Sequence, residues 1–203
     1  MVVIIDYGMG NLRSVQKAFE RIKVPVKVSS NSADILSADK LVLPGVGNFE
    51  RGVGNLKERK IYEDLNEMVL SKKKPILGIC LGMQLMTEFS EEGNCKGFGW
   101  IQAKTQKFKF QSNELKIPHM GWNNIITKKN DLLYEGVDQN TFFYFVHSYF
   151  ITCNQEVDII TETNYGLNFV SSFRNDNVYG CQFHPEKSHD SGLILLRNFA
   201  LSS

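Results

Sequence analysis

The stretch Pro75-Ile76-Leu77-Gly78-Ile79-Cys80-Leu81-Gly82-Met83-Gln84-Leu85 decides the fold. Residues 75–79 form a short apolar run of the kind a buried strand makes, and residues 81–89 follow a helical pattern. Between them, Gly78-Ile79-Cys80-Leu81-Gly82 has the form G-x-C-x-G. A strand that turns abruptly into a helix projects the residue at the turn, and small residues two positions to either side relieve crowding there. The first N–H groups of the helix, and its positive dipole end, favour a thiolate at Cys80 and leave the Leu81 N–H available to an oxyanion. A buried cysteine between two packing glycines satisfies the same pattern, so this stretch alone leaves both readings open.

Toward the N-terminus, residues 2–5 read as a buried strand and residues 6–10 as a turn-rich break. Leu12, Val15, Phe19 and Ile22 then recur at helical spacing. Residues 24–28 and 40–43 read as further strands, and Pro44-Gly45-Val46-Gly47 breaks the chain sharply. Residues 51–73 are helical in tendency, and Lys72-Lys73-Lys74 forms a solvated helix end. Strands alternating with helices imply parallel β-α-β units. Toward the C-terminus, residues 99–182 are mostly strands, turns and aromatics. Phe108, Phe110, Phe142, Phe143, Tyr144, Phe145, Tyr149 and Phe150 are expected to build a strand-rich core. A last helix is expected from Ser191, with Leu193, Leu196 and Phe199 on one face. No linker or repeat divides the chain, so the expected fold class is α/β, a single domain with a mixed, largely parallel central sheet flanked by helices.

Composition excludes several other classes. A chain of 203 residues can bury a core without staples. With 23 Lys plus Arg against 22 Asp plus Glu, the net charge of +1 argues against broad electrostatic binding to nucleic acid or membrane. Cys80, Cys95, Cys153 and Cys181 contain no C-x-x-C spacing, which argues against a zinc knuckle or dithiol redox motif. A reduced, cytoplasmic setting is expected. The opening run has no basic leader and soon reaches Asp6, so it does not read as a signal peptide. No apolar stretch approaches the ~18 residues a spanning helix needs.

His184-Pro185-Glu186 supplies partners for the cysteine. Side chains at i and i+2 on an extended segment face the same way, and Pro185 biases His184 toward extended backbone. Imidazole and carboxylate would then stand side by side, Glu186 orienting the ring that deprotonates Cys80. An incidental surface ion pair is the alternative for these three residues taken alone.

The cysteine elbow followed by H-P-E near the C-terminus resembles the class I glutamine amidotransferase family, which implies a flavodoxin-like fold and one type 1 domain over residues 1–203. Three further segments sharpen the likeness: Asp6-Tyr7-Gly8-Met9-Gly10-Asn11-Leu12, Pro44-Gly45-Val46-Gly47 and Pro118-His119-Met120-Gly121-Trp122-Asn123. With these, the chain is similar, essentially from end to end, to the members that serve imidazole glycerol phosphate synthases as glutaminase subunits. The resemblance implies that Cys80, His184 and Glu186 hydrolyse L-glutamine to glutamate and ammonia through a thioester, without metal or organic cofactor. It implies an oxyanion site from Gly45, Val46, Gly47 and Leu81, and substrate contact by Gln84. It also implies a heterodimer with a (β/α)₈-barrel cyclase subunit, which uses the ammonia to make imidazole glycerol phosphate and AICAR in histidine biosynthesis. Asn11, Trp122, Tyr144 and Lys187 match positions near that interface or the ammonia tunnel. Read without the family, the Pro44–Gly47 segment is a plain turn, Trp122 is equally a core residue, and His119 and His147 are structural histidines.

The chain departs from the usual form at Asn48, where a small residue is commoner, and at His189-Asp190. By the resemblance, both lie near surfaces that could select a partner. A different client therefore stays open, such as a synthase that amidates a surface-sugar precursor. A stand-alone thiol hydrolase and a non-catalytic module of the same fold are the competing classes, and the complete Cys80, His184, Glu186 set argues against the second.

Overall fold

The computed structural model describes residues 1–110, 115–138 and 141–201. The first half contains β1 (Val2–Ile5), α1 (Leu12–Arg21), β2 (Val26–Ser29), α2 (Ser32–Leu36), β3 (Lys40–Gly45), α3 (Phe49–Glu58), α4 (Ile61–Asn66), β4 (Ile76–Cys80) and α5 (Leu81–Leu85). The second adds β5 (Thr87–Ser90), β6 (Cys95–Lys96), β7 (Ile101–Lys107), β8 (His119–Asn124) and β9 (Ile126–Thr127). It continues through β10 (Phe142–His147), β11 (Tyr149–Cys153), β12 (Ile159–Asn164), β13 (Asn168–Asn175), β14 (Val178–Cys181) and α6 (His189–Leu201).

Among the described residues, twelve strands form one mixed sheet in which β2-β1-β3-β4-β14 run parallel. Beyond β14 the sheet continues through β13, β11, β7, β5 and β6, largely antiparallel, while β8 and β10 pair apart from it as an antiparallel ribbon. The parallel strands alternate their apolar side chains between two cores. Val3, Ile5, Leu41, Leu43 and Ile76 pack on one face with α3 and α4. Val2, Ile4, Val42, Leu77 and Ile79 pack on the other with α1 and α6. A strand buried on both faces reads as an unbroken apolar run, which is why these segments were legible.

Asparagines start the helices. Asn11, Asn31 and Asn48 each accept a backbone N–H of the first turn through the side-chain oxygen, from Ser14, Ala33 and Arg51 respectively. Asn48, a departure from the family pattern in sequence, thus has a structural reason of its own. Several expected boundaries moved. The 51–73 helix begins at Phe49, breaks at Lys60 (φ 59°) and ends in a π-turn over Glu67–Ser71. The sharp break expected at Pro44 comes after Gly45, because Pro44 and Gly45 still pair with Ile79 and Cys80. The 81–89 helix stops at Leu85: the Thr87 hydroxyl donates to the Gln84 carbonyl at 2.8 Å, and Thr87–Ser90 pairs with β7. The last helix starts at His189 rather than Ser191. Of the aromatics expected in the core, Phe142 is instead 56% exposed on the outer face of β10.

Candidate active site

Cys80, the Gly45–Gly47 segment and Gln182–His184 follow the C-terminal ends of the parallel strands β4, β3 and β14, where open α/β sheets hold their ligands. Cys80 ends β4 with φ 54° and ψ −110°, a left-handed backbone unusual for a residue with a Cβ. Its neighbours explain how the turn is held. A Cβ on Gly82 would lie 1.6 Å from the Leu43 carbonyl oxygen of β3, and one on Gly78 would lie 2.7 Å from the Met83 backbone. Gly82 therefore lets the elbow press against β3, and Gly78 lets α5 fold back onto β4. α5 is shorter than expected, which limits its dipole, but Leu81 opens it and so its N–H has no intrahelical acceptor.

The in-register pair Gly45–Cys80 brings the end of β3 alongside the nucleophile. Gly45 cannot carry a side chain, since its Cβ would fall 2.2 Å from the Tyr7 hydroxyl. Val46 and Gly47 (φ 112°) continue over Cys80 and line the cavity there. Tyr7 is fully buried and its hydroxyl has no hydrogen-bond partner among the described residues; burial, and secondarily the charge of Cys80, push its pKa far up.

From the other side, β14 pairs with β4 as far as Cys181–Ile79, and the chain then places Gln182 and His184 beside the sulfur. His184 N–H donates to the Tyr144 carbonyl at 2.9 Å, and Ser188 Oγ donates to the His184 carbonyl at 2.6 Å. His184 Nδ1 meets Glu186 Oε1 at 2.8 Å, with both side chains 3% exposed. The mechanism of this approach differs from the extended i, i+2 geometry expected. Pro185–Lys187 forms a 3₁₀ turn, for which proline's fixed φ is suited, and the turn folds the carboxylate back onto the ring. Burial works against a charged imidazole here, but the influence of Cys80 and then of Glu186 outweighs it, raising His184 from 6.5 to about 10. With Nδ1 committed to the carboxylate, Nε2 has no hydrogen-bond partner among the described residues and is the atom available for proton transfer.

A cavity of about 350 Å³ opens onto Cys80 and is lined by Val46, Gly47, Leu81, Gln84, Glu92 and the 146–149 segment. A larger hollow of about 460 Å³ between Ile125 and Asp138 holds none of the residues described above, and volume alone gives it no chemistry. Gln84 donates from Nε2 to the Tyr149 carbonyl at 3.1 Å and to Gln182 Oε1 at 2.9 Å. That fixes the Gln182 amide so that its own Nε2 faces Cys80 Sγ at 3.6 Å. Gln182 was missed in sequence, although its position two residues before His184 signals the same side of an extended chain. Glu92 lines the cavity and accepts the Phe49 N–H at 2.7 Å; a Ser-Glu-Glu-Gly turn offers no sequence signal for it.

The remaining predicted positions gather outside the cavity. Trp122 is 45% exposed, stacks on His189 (4.8 Å, 4° between planes) and meets Tyr144 edge-on. Lys187 Nζ lies 5.5 Å from the Tyr144 ring centroid. Asn11 caps α1, which packs against the Pro185–Lys187 turn. Among the described residues, no cluster of three His, Cys, Asp or Glu side chains is arranged to hold a metal ion, and no helix is long and apolar enough to cross a membrane.

A profile described as Glutamine amidotransferase class-I matches residues 3–202. The chain is 48% identical over 199 residues to "Imidazole glycerol phosphate synthase subunit HisH 2" of Methanococcus maripaludis, covering 98% of each chain. It is 50% identical over 201 residues to "Imidazole glycerol phosphate synthase subunit HisH 1" of Campylobacter jejuni, covering 98% of this chain and 99% of that one. A solved structure described as glutamine amidotransferase superposes with a TM-score of 0.76 at 16% identity, covering 99% of this chain and all of the other, a likeness of fold. On the sequence likeness, which runs nearly from end to end, the chain belongs to the class I glutamine amidotransferase family.

Proposed function

We propose that this chain is the glutaminase subunit of an imidazole glycerol phosphate synthase, hydrolysing L-glutamine and passing the ammonia to a (β/α)₈-barrel cyclase subunit in histidine biosynthesis. The observation that carries the chemistry is the left-handed Cys80 at the mouth of the cavity, beside a buried His184–Glu186 pair joined at 2.8 Å. The relatives' names, at 48% and 50% identity, support the choice of client.

Glutamine enters with its carboxamide at Cys80 and its α-ammonium toward the Glu92 carboxylate, the acidic group of the cavity lining. Cys80 sulfur attacks the amide carbon, and the oxygen that becomes negative is met by the Leu81 N–H and by a backbone N–H of the Gly45-Val46-Gly47 strand. His184, held charged by its surroundings, gives the Nε2 proton to the leaving nitrogen, which departs as ammonia and leaves a γ-glutamyl thioester. The neutral ring then takes a proton from water as it attacks the thioester; the C–S bond breaks, the acid product ionises to glutamate, and Cys80 thiolate is restored beside the charged ring. Glu186 keeps Nδ1 protonated throughout.

Ammonia released into water is protonated and lost as a nucleophile, so a receiving subunit must seal against the chain. The outward ribbon face supports that role: Trp122 and Tyr144 are joined by Lys187, and Met120 and Phe142 are 62% and 56% exposed. The test is the assembled synthase. Cys80→Ala should abolish glutamine-dependent synthesis while ammonia-dependent synthesis continues. The gene should also restore growth of a histidine auxotroph lacking this subunit. Active glutamine hydrolysis without complementation would refute the histidine assignment.

A further inference from the structure

Two imidazoles outside the triad form a connected path to the sulfur. His119 on β8 and His147 on β10 face each other across the ribbon, are 3% and 5% exposed, and join Nδ1 to Nε2 at 2.9 Å. Their tautomers follow from the partners. Asn123 Nδ2 donates to the Asn164 carbonyl at 3.0 Å and its Oδ1 accepts the Asn124 N–H, so the amide nitrogen is what faces His119 Nε2 at 3.2 Å. His119 Nε2 therefore accepts, and its proton is on Nδ1, which donates to His147 Nε2. His147 in turn carries its proton on Nδ1 and donates to the Tyr149 carbonyl at 2.7 Å. Burial holds both rings neutral, at about 4 for His119 and about 3 for His147. The Tyr149 carbonyl also accepts from Gln84, whose Nε2 orients Gln182, whose Nε2 reaches Cys80.

From this path we propose that His119 is a positioning residue for Cys80, fixing the His147 tautomer and, through the Tyr149 carbonyl and Gln84, the Gln182 amide that faces the sulfur. Its catalytic consequence rests on the glutaminase reading above. Neither imidazole exchanges a proton with substrate; their service is directional. If His147 turned its proton to Nε2, the Tyr149 carbonyl would lose a donor and the anchor of the Gln84 amide would loosen.

The experiment uses the full chain, alone for spectroscopy and alkylation and with its synthase partner for turnover. Imidazole ¹⁵N shifts of the wild type should show both rings neutral at pH 7 and protonated on Nδ1. Protonation of His147 on Nε2 would overturn the proposal whatever any variant does. His119→Phe removes the donor, whereas His119→Asn places an amide nitrogen near the former Nδ1 and keeps it. His119→Phe should slow both glutamine turnover and Cys80 alkylation by iodoacetamide about tenfold, the effect of losing one hydrogen bond. His119→Asn should recover most of both rates. Unchanged alkylation in His119→Phe, or equal losses in the two variants, would overturn the positioning role. Absence of glutamine hydrolysis in the wild-type complex would defeat the glutaminase reading instead, leaving the alkylation and NMR results to decide the path itself.

Discussion

Gly82→Ala tests how tightly the nucleophile turn is clamped. The added Cβ would sit 1.6 Å from the Leu43 carbonyl oxygen and 2.7 Å from its carbon, whereas real Cβ contacts essentially never fall below 3.0 Å. The elbow must therefore withdraw from β3 by about 1.4 Å, and backbone on both sides leaves no flexible side chain to yield. The Leu81 N–H and the Gly45–Gly47 strand lie on opposite sides of that contact, so the withdrawal widens the gap between the proposed oxyanion donors. A misplacement of ~1 Å costs roughly 100-fold in rate, or about 2.7 kcal/mol of barrier. Overpacking costs about 1–3 kcal/mol of stability, which for a domain of this size lowers Tm by roughly 3–10 °C. Gly54→Ala is the control, since a Cβ there meets nothing within 4 Å inside α3. It should leave kcat unchanged and add about 0.5–1 kcal/mol of stability. Glutaminase kcat in the assembled synthase and calorimetric Tm check both variants. Gly82→Ala with kcat within threefold of wild type and an unchanged Tm would refute the clamp.

Three further outcomes are expected. Cys80→Ala removes the strongest influence holding His184 charged, so ¹⁵N or ¹H titration should find its pKa well below the wild-type value of about 10. Because the folded value exceeds the ordinary 6.5, the pairing's contribution to stability is fully present below 6.5 and is lost as pH rises toward 10; Cys80→Ala should narrow that window in pH-dependent unfolding. Tyr7→Phe deletes a fully buried hydroxyl with no partner and should raise unfolding free energy by ~1 kcal/mol in urea titration, an unchanged or lower value counting against the hydroxyl being unpaired. Glu92→Gln keeps an acceptor for Phe49 but removes the charge offered to the α-ammonium, so KM for glutamine should rise ~10-fold with a smaller change in kcat; the reverse split would remove Glu92 from substrate binding.

Much of the architecture was legible because it depends on local chemistry. The parallel strands are buried on both faces and read as continuous apolar runs, and the glycines of the elbow mark where Leu43 and Met83 press against backbone. Cys80, His184 and Glu186 stood out because their spacing carries the geometry: one turn projects the sulfur, and one proline sets the imidazole and carboxylate together. Boundaries failed where distant chain decided them. Thr87 leaves the helical pattern where its hydroxyl bonds the Gln84 carbonyl and distant β7 supplies a strand partner, and Phe142 is outward because β10 pairs with β8 rather than joining the central sheet.

The same distinction explains why the relay was invisible in sequence. His119 and His147 are an in-register pair 28 positions apart, so neither suggests the other without the ribbon. Gln84 and Gln182 lie 98 positions apart, and which way each amide points depends on the Tyr149 carbonyl between them and the ribbon. Strand alternation then gives one ribbon two jobs. Inward residues His119 and His147, the first backed by Asn123, lead toward the nucleophile, while Met120, Trp122 and Phe142 face out, where a partner would dock. A partner that shifts the register of β8 against β10 would move His119 relative to His147, with no new contact at the catalytic centre. Uncoupling should therefore be visible as an asymmetry: His119→Phe should reduce the rise in glutaminase rate on partner binding while leaving the partner's affinity within about threefold, because the outer face is untouched. Equal loss of affinity and of activation would place His119 in the docking surface and break the separation of the two faces.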